Sequence, residues 1–137
     1  MRMALKDKEY EKNVEKNKHF FMSVEFAIQG VKTVFDEERN MKKHVGFGLL
    51  AFCMGFVFQL SAIEWLWLLL AVFLVWIVEI LNTVFENVVD MCTNFHVHPI
   101  GKKVKDMYAG AVLVTAVFAV IVGFILFVPK IYQIFFN

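Results

Sequence analysis

Four polar residues interrupt an otherwise apolar stretch of the chain: Glu79, Asn82, Glu86 and Asp90, spaced three, four and four apart. At about 100° of rotation per residue, that spacing puts all four on one face of a helix. Carboxyl and amide oxygens are hard donors of the kind that bind a divalent cation, and a positioned carboxylate can also take the proton of a hydroxyl group. An ionisable side chain in the middle of a bilayer costs about 2.5–3.5 kcal/mol on insertion scales, so acids there face protein, water or an ion and mark function. For Asp90 alone, a hydrogen bond between helices accounts for the residue as well as chemistry does. That explanation does not extend easily to the whole stripe.

Other charges are placed to join it. Glu37 and Glu38 precede the first long apolar run, and Lys105 and Asp106 precede the last. Magnesium is usually held by one or two carboxylates together with substrate phosphates. Glu38 and Glu86 suit the first role, and Lys105 suits neutralising phosphate. The chain has no G-x-x-x-x-G-K-[ST] loop, G-x-G-x-x-G turn or H-E-x-x-H metal helix, so phosphate chemistry would need a site of its own design. By themselves, the residues imply a carboxylate-rich, cation-binding site at the inner membrane surface.

The elements that must position these groups are membrane helices. Of the 137 residues, 59% are hydrophobic, and the mean hydropathy is +0.61, too apolar for an ordinary soluble domain. Residues 45–63 and 107–128 carry no formal charge, and residues 65–89 carry only Glu79 and Glu86. Each approaches or exceeds the roughly 20 residues that a spanning helix needs. Three spans are therefore expected, the first two joined by a tight hairpin at Glu64. In the last, Ala109, Ala116, Ala119 and Gly123 form a small-residue face suited to close helix contact.

Residues 20–36 form a fourth helical segment. Phe20, Val24, Ala27, Ile28, Val31, Val34 and Phe35 recur at helical spacing opposite Glu25, Gln29 and Lys32, a pattern that suits the membrane interface and a helix docked on protein equally. Residues 1–19 are charged and poor in large apolar groups, forming a frayed tail or a solvated helix. They lack the apolar core of a secretory signal. Cys53 and Cys92 read as free thiols.

Ten of the Lys and Arg residues precede residue 45, three lie at 102–105 and one, Lys130, follows the third span. The positive-inside rule then places the amino terminus and the 90–106 loop in the cytoplasm, with Glu64 and the carboxyl terminus outside. Glu79 falls in the cytoplasmic half of the second span and Glu86 near its boundary.

The run from Glu79 through Asn82 and Glu86 to Asp90, followed by Lys105-Asp106-Met-Tyr-Ala-Gly-Ala-Val-Leu, resembles the bacterial diacylglycerol kinase and undecaprenol kinase family. The likeness covers residues 20–128. The elbow Glu37-Glu38-Arg39-Asn40 with His44 is similar to the Gram-positive, undecaprenol-type branch. The resemblance implies an all-α integral membrane protein of the bacterial cell membrane, with three transmembrane helices and an amphipathic interfacial helix, assembled as a homotrimer with shared active sites. It implies an ATP- and Mg²⁺-dependent lipid kinase and no nucleic-acid partner.

Carried over by position, Glu79 is the general base, Glu38 and Glu86 hold Mg²⁺, and Asn82, Asp90, Lys105 and Asp106 bind the nucleotide. Undecaprenol is the favoured acceptor, with diacylglycerol as the alternative. Glu79 also admits a different class of function, a small proton-coupled transporter. There are two departures from the family pattern: after the elbow, Lys42, Lys43 and His44 stand where the diacylglycerol branch has an acid, and near the nucleotide loop the segment containing His96 and His98 is one residue longer. The two loop histidines are read as solvated.

Overall fold

The computed structural model describes residues 2–136, with side chains from residue 18 onward. Four helices follow one another: α1 (Arg2–Glu37), α2 (Arg39–Val57), α3 (Ala62–Cys92) and α4 (Pro99–Phe136). The chain divides into two units, α1 and the residues from Glu38 onward.

Helix α1 runs without a break through the segment expected as an interfacial helix over 20–36 and the charged segment before it. Along it Phe20, Val24, Ile28, Val31 and Phe35 remain exposed. Ser23 and Thr33 return their hydroxyl protons to the carbonyls of His19 and Gln29 one turn earlier, the usual way a helix satisfies such residues without water.

In the second unit, α3 packs against both α2 and α4. Leu68, Ala71 and Val72 of α3 are buried with Val122, Leu126 and Phe127 of α4 and Leu60 of the hairpin. Helices α3 and α4 are long and apolar enough to cross a membrane. Among the described residues, every regular element is a helix.

Helix α2 begins and ends earlier than the expected first span. It starts at Arg39, inside the charged elbow, and stops at Val57, six residues short of Ile63. The stop has a local cause. Gln59 takes a left-handed backbone (φ 49°), Leu60 donates its N–H to the Gly55 carbonyl at 3.0 Å, and Ser61 caps α3. Ser61 Oγ accepts from Glu64 N while Glu64 Oε2 accepts from Ser61 N at 2.7 Å, a reciprocal capping box.

Helix α4 continues beyond the expected third span, through Pro129 to Phe136. A proline removes one backbone donor but does not forbid continuation where packing holds the following turn. Here Lys130 Nζ lies 3.1 Å from Glu64 Oε1, tying the end of α4 to the α2–α3 hairpin.

Two glycines set the separation of α2 from α3. A Cβ on Gly48 would stand 2.8 Å from Val72 Cγ1 and 2.9 Å from Trp76 Cζ2, and one on Gly55 would stand 2.8 Å from Trp65 Cη2. The helices therefore approach at both places with an indole laid across bare backbone. Trp76 Nε1 also donates to the His44 carbonyl at 3.2 Å, fixing the first turns of α2 against α3.

Candidate active site

The polar stripe of α3 faces into the protein. Among the described residues of the second unit, Glu79, Asn82 and Thr83 are the buried polar ones, and Glu79 is 2% exposed. Leu81 and Val84, on the other side of α3, are exposed, so the helix turns its acids inward and its hydrocarbon outward. Burying a polar group is costly unless it is hydrogen-bonded, and two of these groups are satisfied locally. Thr83 Oγ1 donates to the Glu79 carbonyl at 3.1 Å, and Asn82 Nδ2 donates to Glu86 Oε1 at 3.0 Å.

Asn82 Oδ1 is different. Among the described residues it is the buried side-chain polar atom with no hydrogen-bond partner. It lies one helical turn from Glu79 and one from Glu86, and the charges of Glu38 and Glu86 both act on Glu79. A cluster of carboxylates with an amide oxygen left free is a donor set that suits a hard cation. No group of three or more His, Cys, Asp or Glu side chains among the described residues stands ready to hold a metal unaided. Magnesium bound with substrate phosphates does not require one.

Toward the end of α3 the arrangement changes. Lys105 Nζ lies 2.6 Å from Asp90 Oδ1, both side chains about one-third exposed, so the Lys105 charge is already engaged by an acid of the stripe. Asp106 points elsewhere, pairing with Lys102 at 2.8 Å where both are exposed. All four line a cavity of about 370 Å³ with Thr93, His96 and His98. Its floor is formed where Gly101 lets α4 approach α3, since a Cβ there would meet Val89 Cγ1 at 3.0 Å. Phe85 and Tyr108 stack at 3.8 Å between ring centroids, joining the same two helices one turn deeper.

The seven residues expected from the sequence therefore fall in two places. Glu38, Glu79, Asn82 and Glu86 form the deeper group, while Asp90, Lys105 and Asp106 border the cavity. His96 and His98 are exposed, as read from the sequence, yet they line that cavity too. One neighbour was not assigned to the site: His44 Nε2 stands 4.0 Å from Glu79 Oε2. The two residues lie on different helices, and no local spacing announces their meeting. The one sequence signal was the place of His44 at the last polar position before the apolar run.

A buried carboxylate on a helix long and apolar enough to cross a membrane, with a charged cavity at the end of that helix, suits phosphoryl transfer at a membrane. Residues 25–127 match the profile of the prokaryotic diacylglycerol kinase family, and the chain belongs to it. The chain is 39% identical over 111 residues to undecaprenol kinase of Bacillus subtilis (strain 168), covering 81% of this chain and 89% of the relative. It is 38% identical over 111 residues to a diacylglycerol kinase of Synechocystis, covering 81% of this chain and 63% of that protein. It is 33% identical over 101 residues to diacylglycerol kinase of Escherichia coli K12, covering 74% and 82%. The family is one of lipid kinases, so the chain is an enzyme, a phosphotransferase with ATP as co-substrate.

Proposed function

We propose that this kinase transfers the γ-phosphoryl group of ATP to the hydroxyl of undecaprenol at the cytoplasmic face of the bacterial cell membrane, giving undecaprenyl phosphate. The observation that carries the reaction is the burial of Glu79 beside Asn82 and Glu86 on α3. The choice of acceptor rests on the similarity to the Bacillus protein.

In this reading Glu79 accepts the proton of the lipid hydroxyl as its oxygen attacks the γ-phosphorus. Glu38 and Glu86 are the residues that would hold Mg²⁺, whose chemistry is to neutralise charge on the phosphate oxygens. Asn82 positions Glu86 through its amide N–H and would offer Oδ1 to the Mg²⁺ that accompanies the nucleotide phosphates. Asp90, Lys105 and Asp106 bind the nucleotide, with Lys105 exchanging part of its pairing with Asp90 for phosphate. Depth along α3 separates the substrates: from Glu79 to Asp90 is about 16 Å at 1.5 Å per residue, so an acceptor dissolved in the bilayer meets the inner group while ATP enters from the cytosol.

Helix α2 supplies a third crossing. Its 19 residues reach about 28 Å with the charged turn from Arg39 to His44 included, and the uncharged part, residues 45–57, covers about 20 Å, with Lys42 and Lys43 extending toward the interface. The amino terminus is then cytoplasmic and the Glu64–Lys130 end external. Homotrimeric assembly rests on the family resemblance and on the small-residue face Ala109, Ala116, Ala119 and Gly123 of α4. Phosphoryl transfer accounts for the stripe together with the kinase kinship, which the transporter reading does not.

The test is direct. Purified protein in lipid vesicles, given labelled ATP and either undecaprenol or diacylglycerol, labels undecaprenol faster in a Mg²⁺-dependent way. Faster labelling of diacylglycerol would move the assignment to that lipid. Glu79→Gln abolishes transfer without loss of fold, and retained activity would remove Glu79 from its role.

A further inference from the structure

The gap between His44 and Glu79 carries information of its own. At 4.0 Å the two side chains are too far apart for a good direct hydrogen bond. The same distance fits one oxygen between them. An oxygen about 2.8 Å from each atom makes an angle of about 90° at its centre, within the range that hydroxyl groups tolerate. We propose that His44 is a second catalytic contact for the acceptor, its Nε2–H donating to the hydroxyl oxygen while that hydroxyl donates to Glu79. The inference rests on Glu79 being the base.

Three features of the structure support it. His44 does not occupy this place loosely, because its carbonyl receives the Trp76 indole N–H and Gly48, one turn on, holds α2 tight to α3. Its side chain is 22% exposed while that of Glu79 is 2% exposed, so a molecule approaching the base passes the imidazole. His44 also lies on the wall of a second cavity of about 390 Å³, lined by Gly48, Ala51, Ala71 and Val75 among other apolar residues. Apart from the Trp76 indole N–H, already bonded to the His44 carbonyl, the imidazole is the polar side-chain group in that lining. An alcohol whose hydrocarbon runs along the cavity brings its oxygen to the place where hydrocarbon ends and two hydrogen-bonding groups begin.

The geometry suits the chemistry. A lipid hydroxyl oxygen has one bond to carbon, one to hydrogen and two lone pairs. The hydrogen points to Glu79, one lone pair accepts from His44, and the other is left to attack phosphorus. The O–H bond breaks toward the Glu79 carboxylate as the new O–P bond forms and the bond from γ-phosphorus to the bridging oxygen breaks, with ADP leaving. His44 neither gains nor loses a proton in this step. Its contribution is orientation, the kind of effect that a small misplacement removes.

Steady-state kinetics with undecaprenol, or with diacylglycerol if the native protein prefers it, tests this on four variants whose folding is checked by thermal melting. His44→Ala is expected to lower kcat/KM for the lipid about tenfold or more, the loss of one oriented hydrogen bond, and to leave KM for ATP unchanged. His44→Gln places an amide N–H near the position of Nε2 and recovers most of the loss, whereas the shorter His44→Asn does not. Unchanged kcat/KM in His44→Ala, equal behaviour of Gln and Asn, or an equal change in KM for ATP would overturn the inference. Glu79→Gln is run beside them: if it is inactive while His44→Ala is fully active, only the role of His44 fails, and if it is active, the base assignment fails first.

Discussion

Replacing Gly48 with Ala is the most direct physical test of how the site is held. The added methyl would stand 2.8 Å from Val72 Cγ1 and 2.9 Å from Trp76 Cζ2, whereas carbon atoms pack at about 3.5–4.0 Å. The shortfall of about 0.7 Å cannot be absorbed by the free end of a flexible chain. Val72 is buried in the core, and the Trp76 ring is held by its bond to the His44 carbonyl and by an edge contact with Phe73. Helices α2 and α3 must separate by about that amount, and overpacking of this kind costs about 1–3 kcal/mol.

Gly46 supplies the control, because an added Cβ there meets nothing within 4 Å. Gly46→Ala gains helix propensity of up to about 1 kcal/mol, and because Gly48→Ala gains the same, the two variants differ by the overpacking alone, about 1–3 kcal/mol. Because His44 and Glu79 ride on the two helices being parted, turnover falls in Gly48→Ala as well, by about tenfold or more. Thermal melting in detergent and labelled-ATP turnover in lipid read both effects. A Gly48→Ala protein that melts and turns over like Gly46→Ala would refute the close α2–α3 contact and the precision ascribed to it.

Other perturbations are expected as follows. Ser61→Ala removes one half of the capping box and lowers stability by about 1 kcal/mol, measured as a lowered melting midpoint, with no change in KM for either substrate. Phe95 is 84% exposed with a left-handed backbone (φ 59°), so Phe95→Gly raises stability by up to about 1 kcal/mol, and a lower midpoint would show that the phenyl ring does more than occupy solvent. Chelation of divalent cations stops transfer, and added Mg²⁺ restores it.

Much of the site could be read from α3 because its residues obey one local rule. Glu79, Asn82, Glu86 and Asp90 share a face wherever the segment is helical, and an apolar helix hides its polar face from lipid. The capping box at Ser61 and Glu64 and the Lys102–Asp106 pair are local in the same sense, though neither was picked out. What was not legible depends on contacts between distant parts of the chain. The nearness of His44 to Glu79 and the pairing of Lys105 with Asp90 follow from helix packing, not from spacing. The end of α2 at Val57 turns on a left-handed Gln59 that hydropathy does not register, and the ion pair of Lys130 with Glu64 joins residues remote in sequence. Asn82 Oδ1 could be identified as a candidate ligand from its residue type, but its lack of a partner required the structure.

The continuity of α3 restricts how this chain can tolerate changes in length. A single residue added between Glu79 and Asp90 would swing everything beyond it by about 100°, turning Asp90 away from Lys105 and separating the nucleotide end from the hydroxyl end. An added residue in the 93–98 turn, where Asn94 and Phe95 already leave the helical path, has no such lever. Length variation is therefore admissible in that turn and forbidden a few residues earlier.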